Sequence, residues 1–137
     1  MNNIFFDVKK EDVEISEKKL GCKLPNELKK FYQKTGYGFF NKHNGSFNRL
    51  LSPLQVVQIN LKEDFYATDP DLDIYDELYN NEKLLFFEVN EGIYLAIDKK
   101  EENKKNAIWL FDKKISDSLE SFIVDLANNP ELIDNLI

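Results

Sequence analysis

The segment from Glu17 to Phe31 limits the possible folds more than any other part of this chain. It reads E-x-x-L-G-x-x-L-P-x-x-L-x-x-F, a helix stop, a connector and a helix start in close succession. Gly21 follows the apolar Leu20, where a helix C-terminus favours a residue that takes positive φ at low cost. Pro25 cannot lie inside a helix, but its fixed φ suits the first turn of one. Leu28, Phe31 and Tyr32 then recur at i, i+3 and i+4, a single apolar stripe. The spacing predicts two helices, about Lys10 to Leu20 and Asn26 to Thr35, with Val13, Ser16 and Leu20 sharing one side of the first.

Downstream, Gly36-Tyr37-Gly38 breaks the helical pattern, and Phe39-Phe40 opens an aromatic segment able to extend. Lys42-His43-Asn44-Gly45-Ser46 is turn chemistry, since Asn-Gly between apolar runs favours a hairpin. Ser52-Pro53-Leu54-Gln55 is a capping box with proline at the first helical position. Leu54, Val57, Gln58 and Leu61 continue it as a third helix. Pro70 interrupts the acidic stretch beyond that helix, leaving a loop and one short helix around Ile74 to Tyr79.

The period then changes. Leu84 to Val89 and Ile93 to Ile97 are β-favouring runs joined by Asn90-Glu91-Gly92, which reads as a hairpin. Ala107 to Phe111 supplies a third strand, with Trp109 read as core. Asp117 is the expected N-cap of a last helix with Glu120 at N3, and Leu119, Phe122, Ile123 and Leu126 form its apolar face. Glu131 to Ile137 reads as a final short turn. The order implies one α+β domain over residues 1–137, a single mostly antiparallel sheet with helices packed against it. Apolar residues at 42% provide for a real core and exclude a disordered chain.

The single Cys22 excludes an internal disulfide. The N-terminus lacks the basic and apolar regions of a secretion signal, and no apolar run could span a bilayer. A soluble cytoplasmic protein without a membrane role is expected. A net charge of −7 argues against direct nucleic-acid binding, which needs clustered Lys and Arg. That charge is local. Between Glu63 and Glu82 lie eight acidic residues and no basic one; of the chain's 25 acids this leaves 17 against 18 bases, a net of +1.

Three segments resemble the SUKH superfamily, bacterial immunity proteins related to a fungal regulator of cell-wall synthesis. They are the Glu17–Phe31 signature, the hairpin and strand from Leu84 to Phe111, and Ser116-Asp117-Ser118-Leu119-Glu120-Ser121-Phe122, which is similar to the opening of the family's last helix. Thr35-Gly36-Tyr37-Gly38 departs from the Asn-Gly-Gly-like turn that ordinarily comes after the signature. The resemblance implies a single-sheet α+β fold and neutralisation of secreted polymorphic toxins, many of them nucleases. It implies no shared active site.

Catalytic signals are weak beside this. Cys22 and His43, the only thiol and imidazole, fall in a helix connector and a polar turn, so no nucleophilic dyad is expected. Asp69, Asp71, Asp73 and Asp76 begin like a calcium loop, but Pro70, Ile74 and Asn80 break the pattern, so no metal or other cofactor is expected. Glu17 reads as a partner for a nearby backbone amide or lysine. The segment holding Asp64, Phe65, Tyr66, Asp69, Asp71, Asp73, Tyr75, Asp76, Glu77 and Tyr79 is the candidate contact surface, because aromatics anchor interfaces while charges steer them. The expected function is a non-catalytic immunity protein that binds a cognate toxin, a nuclease, through this acidic surface. The alternative is a generic intracellular adaptor whose acidic loop serves solubility.

Overall fold

A computed structural model describes residues 3–41 and 47–137. The expected turn at 42–46, His43 included, lies outside them. Seven strands run in sequence order as one antiparallel sheet: β1 (Ile4–Phe6), β2 (Tyr37–Asn41), β3 (Phe47–Leu50), β4 (Lys83–Val89), β5 (Ile93–Asp98), β6 (Ile108–Leu110) and β7 (Lys113–Ser116). The helices are α1 (Lys10–Leu20), α2 (Asn26–Lys34), α3 (Pro53–Leu61), α4 (Asp73–Tyr79) and α5 (Leu119–Asn128). The architecture is α+β, as the order of patterns implies, but β1 and β7 are additional to the expected strands. Both are short sheet edges without the alternation that betrays a half-buried strand.

The α1–α2 connector closes as its residue types dictate. Gly21 adopts φ 74°, and its N–H donates to the Glu17 carbonyl at 2.9 Å. The Glu17 carboxylate accepts from the Leu24 N–H at 2.7 Å and from Lys29 Nζ at 3.0 Å. One glutamate thus ties the connector through both its backbone and its side chain. Pro25 stands one place earlier than expected, as the N-cap of α2 with ψ 138°. Burial works against the charged form of Glu17, yet the Lys29 and Leu24 hydrogen bonds and the charges of Lys29 and Lys23 hold its pKa below the usual range. A lowered folded pKa gives stability that is present above the unfolded value and lost as pH falls. Glu17→Gln should therefore cost about 1.5–3 kcal/mol in urea unfolding at pH 7. The gap from the native chain should close below about pH 4, and a gap independent of pH would refute the ion-pair account.

Helix α3 opens on the expected capping box: Gln55 N donates to Ser52 Oγ at 3.2 Å, and Ser52 N donates to Gln55 Oε1 at 2.9 Å. Asn60, near its end, fills a break in the sheet. The β4–β5 register shifts between Leu85 and Phe87, and the Asn60 amide accepts from Leu85 N at 3.0 Å and donates to Leu85 O at 2.9 Å.

The N-terminus of α5 differs from expectation by one residue. Ser118, not Asp117, is the N-cap, with its Oγ accepting from Ser121 N at 3.0 Å. Asp117 pairs instead with Lys114 at the surface, 3.1 Å away. A second carboxylate serves the same helix end from far away in sequence. Glu27 of α2 accepts from Leu119 N at 3.0 Å, Glu120 N at 3.2 Å and Asn106 N at 2.6 Å. Orphan donors and the helix dipole both favour an anion there.

Strand register separates the two faces of the sheet. Phe5, Phe40, Leu50, Phe87 and Leu95 fall on one face. There Phe31 of α2 meets Phe5 and Phe40, and Phe122 of α5 meets Phe87 edge-on at 5.3 Å. The other face carries Ile4, Phe6, Tyr37, Phe39, Phe47, Arg49, Glu88, Tyr94, Ala96 and Trp109. Trp109 is half-buried and lies under Lys83 Nζ, 4.4 Å from its ring, so it packs at the margin of the core.

Candidate functional site

The acidic segment lies on that second face. After α3 the chain makes 3₁₀ turns at Asp64–Tyr66 and Pro70–Leu72 and then forms α4. Tyr66, Tyr75 and Tyr79 point at the sheet and are 4–6% exposed. The Tyr66 ring meets Tyr94 edge-on at 6.4 Å, and Tyr75 stacks on Phe111 at 5.7 Å with the planes 9° apart. Tyr75 Oη accepts from Tyr94 N at 3.1 Å, and Tyr79 Oη donates to the Phe111 carbonyl at 3.0 Å.

The tyrosines are therefore anchors of the segment to its own sheet, and the reading of their rings as partner contacts is corrected. The reason is periodic: Leu72, Tyr75 and Tyr79 form an inward stripe, and Asp73, Asp76 and Glu77 fall outside it. That spacing was available in the sequence. Burial pushes the hydroxyl pKa of all three tyrosines up, as it does for Tyr94 and Tyr32.

The carboxylates remain outside. Glu63, Asp64, Asp71, Asp73, Asp76, Glu77 and Glu82 are exposed, and Asp69 is half-buried with its side chain accepting from Asp71 N at 3.0 Å. Lys62, just ahead of the segment, takes positive φ at the end of α3 and reaches both Asp73, at 3.2 Å, and Asp76. Gln58 donates to Asp64 at 3.2 Å. Asp71 and Glu77 have no ion pair among the described residues. Of the aromatics in the segment, Phe65 alone is outside, 83% exposed; the exposed Ile74 and Leu78 join it, and neither was expected. The result is an acidic shelf with a few apolar points, held by a tyrosine underside.

Chemistry of another kind finds little support. The cleft behind the shelf, lined by Leu20, Asn60, Leu72, Tyr75 and Leu85 among others, holds only about 80 Å³, small beside the several hundred Å³ of a ligand pocket. A surface groove of about 460 Å³ borders Cys22 with Glu14, Glu17, Lys18 and Lys23, and has no histidine in its lining to pair with the thiol. Among the described residues no group of three or more His, Cys, Asp or Glu is placed to hold a metal ion, and no helix is long and apolar enough to cross a membrane.

An open antiparallel sheet with helices on one face and an acidic shelf on part of the other defines the class: an α+β domain built to present surface. The SMI1/KNR4 family (SUKH-1) model matches residues 7–128, from the loop before α1 to the end of α5. The chain belongs to that family. It is also 36% identical over 135 residues, 98% of this chain and 90% of the relative, to a Bacillus subtilis (strain 168) protein named immunity protein YxxD. These two likenesses support an immunity-type role.

Proposed function

We propose that this protein is a non-catalytic cytoplasmic immunity protein that binds and neutralises a cognate polymorphic toxin, a nuclease, through the acidic shelf between Glu63 and Glu82. The observation that carries the reading is the sorting of the segment's side chains, with tyrosines fastened to the sheet and carboxylates turned outward. A flexible solubility loop has no need of such anchoring. A nuclease presents positive potential to its phosphate substrate, and a fixed array of carboxylates exploits the same field. Complementary fields of this kind raise association toward about 10⁸ M⁻¹s⁻¹ at low salt.

The reading expects a toxin-bearing gene beside this one, and the test uses its toxin domain, inactivated for handling. Asp71→Lys with Glu77→Lys reverses two exposed charges that make no ion pair among the described residues, so folding should be untouched. Association should slow about 10-fold or more, and its salt dependence should flatten. Unchanged association kinetics would remove the shelf from the mechanism.

A further inference from the structure

The face of the sheet that carries the acidic shelf is covered only in part. The tyrosine underside lies over β5 and the turn after β6, through Tyr94 and Phe111. On β1–β3 the same face has no helix against it among the described residues. Register puts Ile4 opposite Phe39, Phe6 opposite Tyr37, and Phe39 opposite Arg49, with Phe47 two residues from Arg49 on the same side. An antiparallel sheet with one face in solvent alternates apolar inward and polar outward. These strands do not: Ile4 is 51% exposed, Phe6 48%, and Tyr37, Phe39 and Phe47 are only partly buried. Their rings pack in pairs, Phe6 with Tyr37 at 5.5 Å and Phe39 with Phe47 at 5.8 Å. Ile4, Phe6, Phe39 and Phe47 fall outside the core cluster, whereas Tyr37 packs against its edge. Contiguous exposed apolar side chains on a monomer mark a contact surface.

The border between this patch and the shelf is built. Arg49, the only arginine in the chain, pairs with Glu88 at 2.5 Å across β3 and β4, and Glu88 also accepts from Gly92 N at 3.2 Å. The pair neutralises itself and adds no net charge to the patch. Tyr66 lies beside it, and Phe65, on the same 3₁₀ turn as Asp64 and next to Glu63, projects from the rim. An apolar centre thus adjoins an acidic edge, the usual anatomy of a protein interface.

We infer that the toxin-binding surface is this composite, with Ile4, Phe6, Tyr37, Phe39 and Phe47 as its apolar centre and the shelf from Glu63 to Glu77 as its acidic rim. The inference rests on the immunity reading and specifies its partner: a folded toxin domain with an apolar protrusion flanked on one side by Lys and Arg. Charge complementarity selects that occupant. A second copy of this chain would set one acidic shelf near another. The two parts of the surface divide the kinetics, since rim charges govern encounter and the buried apolar centre governs dissociation.

The experiment measures binding of the neighbouring-gene toxin domain to native protein, to Phe6→Thr with Phe47→Thr, and to Asp71→Lys with Glu77→Lys. Threonine keeps β-propensity, and circular dichroism checks that the strands persist. The aromatic variant should dissociate at least 10-fold faster with nearly unchanged association, the reverse of the charge variant. Hydrogen exchange on native protein, which needs no substitution, should show β1–β3 amides protected on binding. Tight binding that survives in the aromatic variant, or protection confined to other strands, overturns the composite surface while leaving the immunity reading intact. Absence of both binding and cell protection by native protein overturns both. Concentration-dependent dimerisation abolished by the aromatic variant would assign the patch to a second copy and refute the toxin assignment.

Discussion

Phe87→Ala should lower the unfolding free energy by about 3–5 kcal/mol, the range for truncating a large aromatic in a core that cannot collapse around the void. Phe87 is fully buried in β4, central in the sheet, and faces the helix-covered side. Its ring meets Phe40 at 5.9 Å and Phe122 at 5.3 Å, so it joins β2 to α5. Removing it deprives β2 and α5 of contact at once. Small domains unfold with a free energy of about 5–15 kcal/mol, so the loss is a large share of the total. Urea unfolding followed by circular dichroism reads it out. Val124→Ala, on the exposed side of α5, is the control and should change stability by less than about 0.5 kcal/mol. A Phe87 effect near that of the control would mean that α5 is not seated on β4 as described.

Elements defined by local chemistry were legible in the sequence. Gly21 and Pro25 bracket the α1–α2 connector, and Ser52 with Gln55 opens α3, because each needs only neighbouring residues. The family signature proved architectural throughout, with Glu17 engaged by Leu24 and Lys29 and with Leu24 and Leu28 buried. The features that escaped prediction depend on distant partners. Ser118 takes the cap of α5 while Glu27, 92 residues from Leu119, occupies the remaining donors. Strand β1 exists through its pairing with β2, where Gly36 and Gly38 let the chains approach; a Cβ on Gly38 would stand 2.0 Å from the Ile4 carbonyl. The acidic segment was found from composition alone, but the direction of its tyrosines required attention to helical period within it. The outward aromatics of β1–β3 left no signal, because Phe39-Phe40 gives no hint of which ring faces solvent until the register is set.

Above about pH 10 the protein should unfold steeply, and the acidic shelf is the place where that instability is built in. Tyr32, Tyr66, Tyr75, Tyr79 and Tyr94 are each 2–6% exposed, and burial raises the pKa of every one. For Tyr75 the charges of Asp71 and Asp69 add to the effect, and for Tyr94 that of Glu88. A raised folded pKa leaves stability complete below the unfolded value near 10 and removes it as pH climbs, since the unfolded chain releases protons that the folded one retains. Each such hydroxyl costs about 1.4 kcal/mol per pH unit in that window. Several together consume a stability of about 5–15 kcal/mol within one or two units. Absorbance at 295 nm should therefore report the ionisation of these five tyrosines in one cooperative step that coincides with loss of near-ultraviolet circular dichroism. Tyr79→Phe isolates one contribution. It forfeits the hydrogen bond to the Phe111 carbonyl, costing about 1 kcal/mol at neutral pH. It also removes one ionisation, so stability should fall with pH above 10 by about 1.4 kcal/mol per unit less than in the native chain. An unchanged slope, or tyrosines titrating freely before the fold is lost, would show that the phenols are not enclosed under the shelf. The same result would undercut the fixed carboxylate array on which partner binding depends, because the tyrosines are what hold those carboxylates in place.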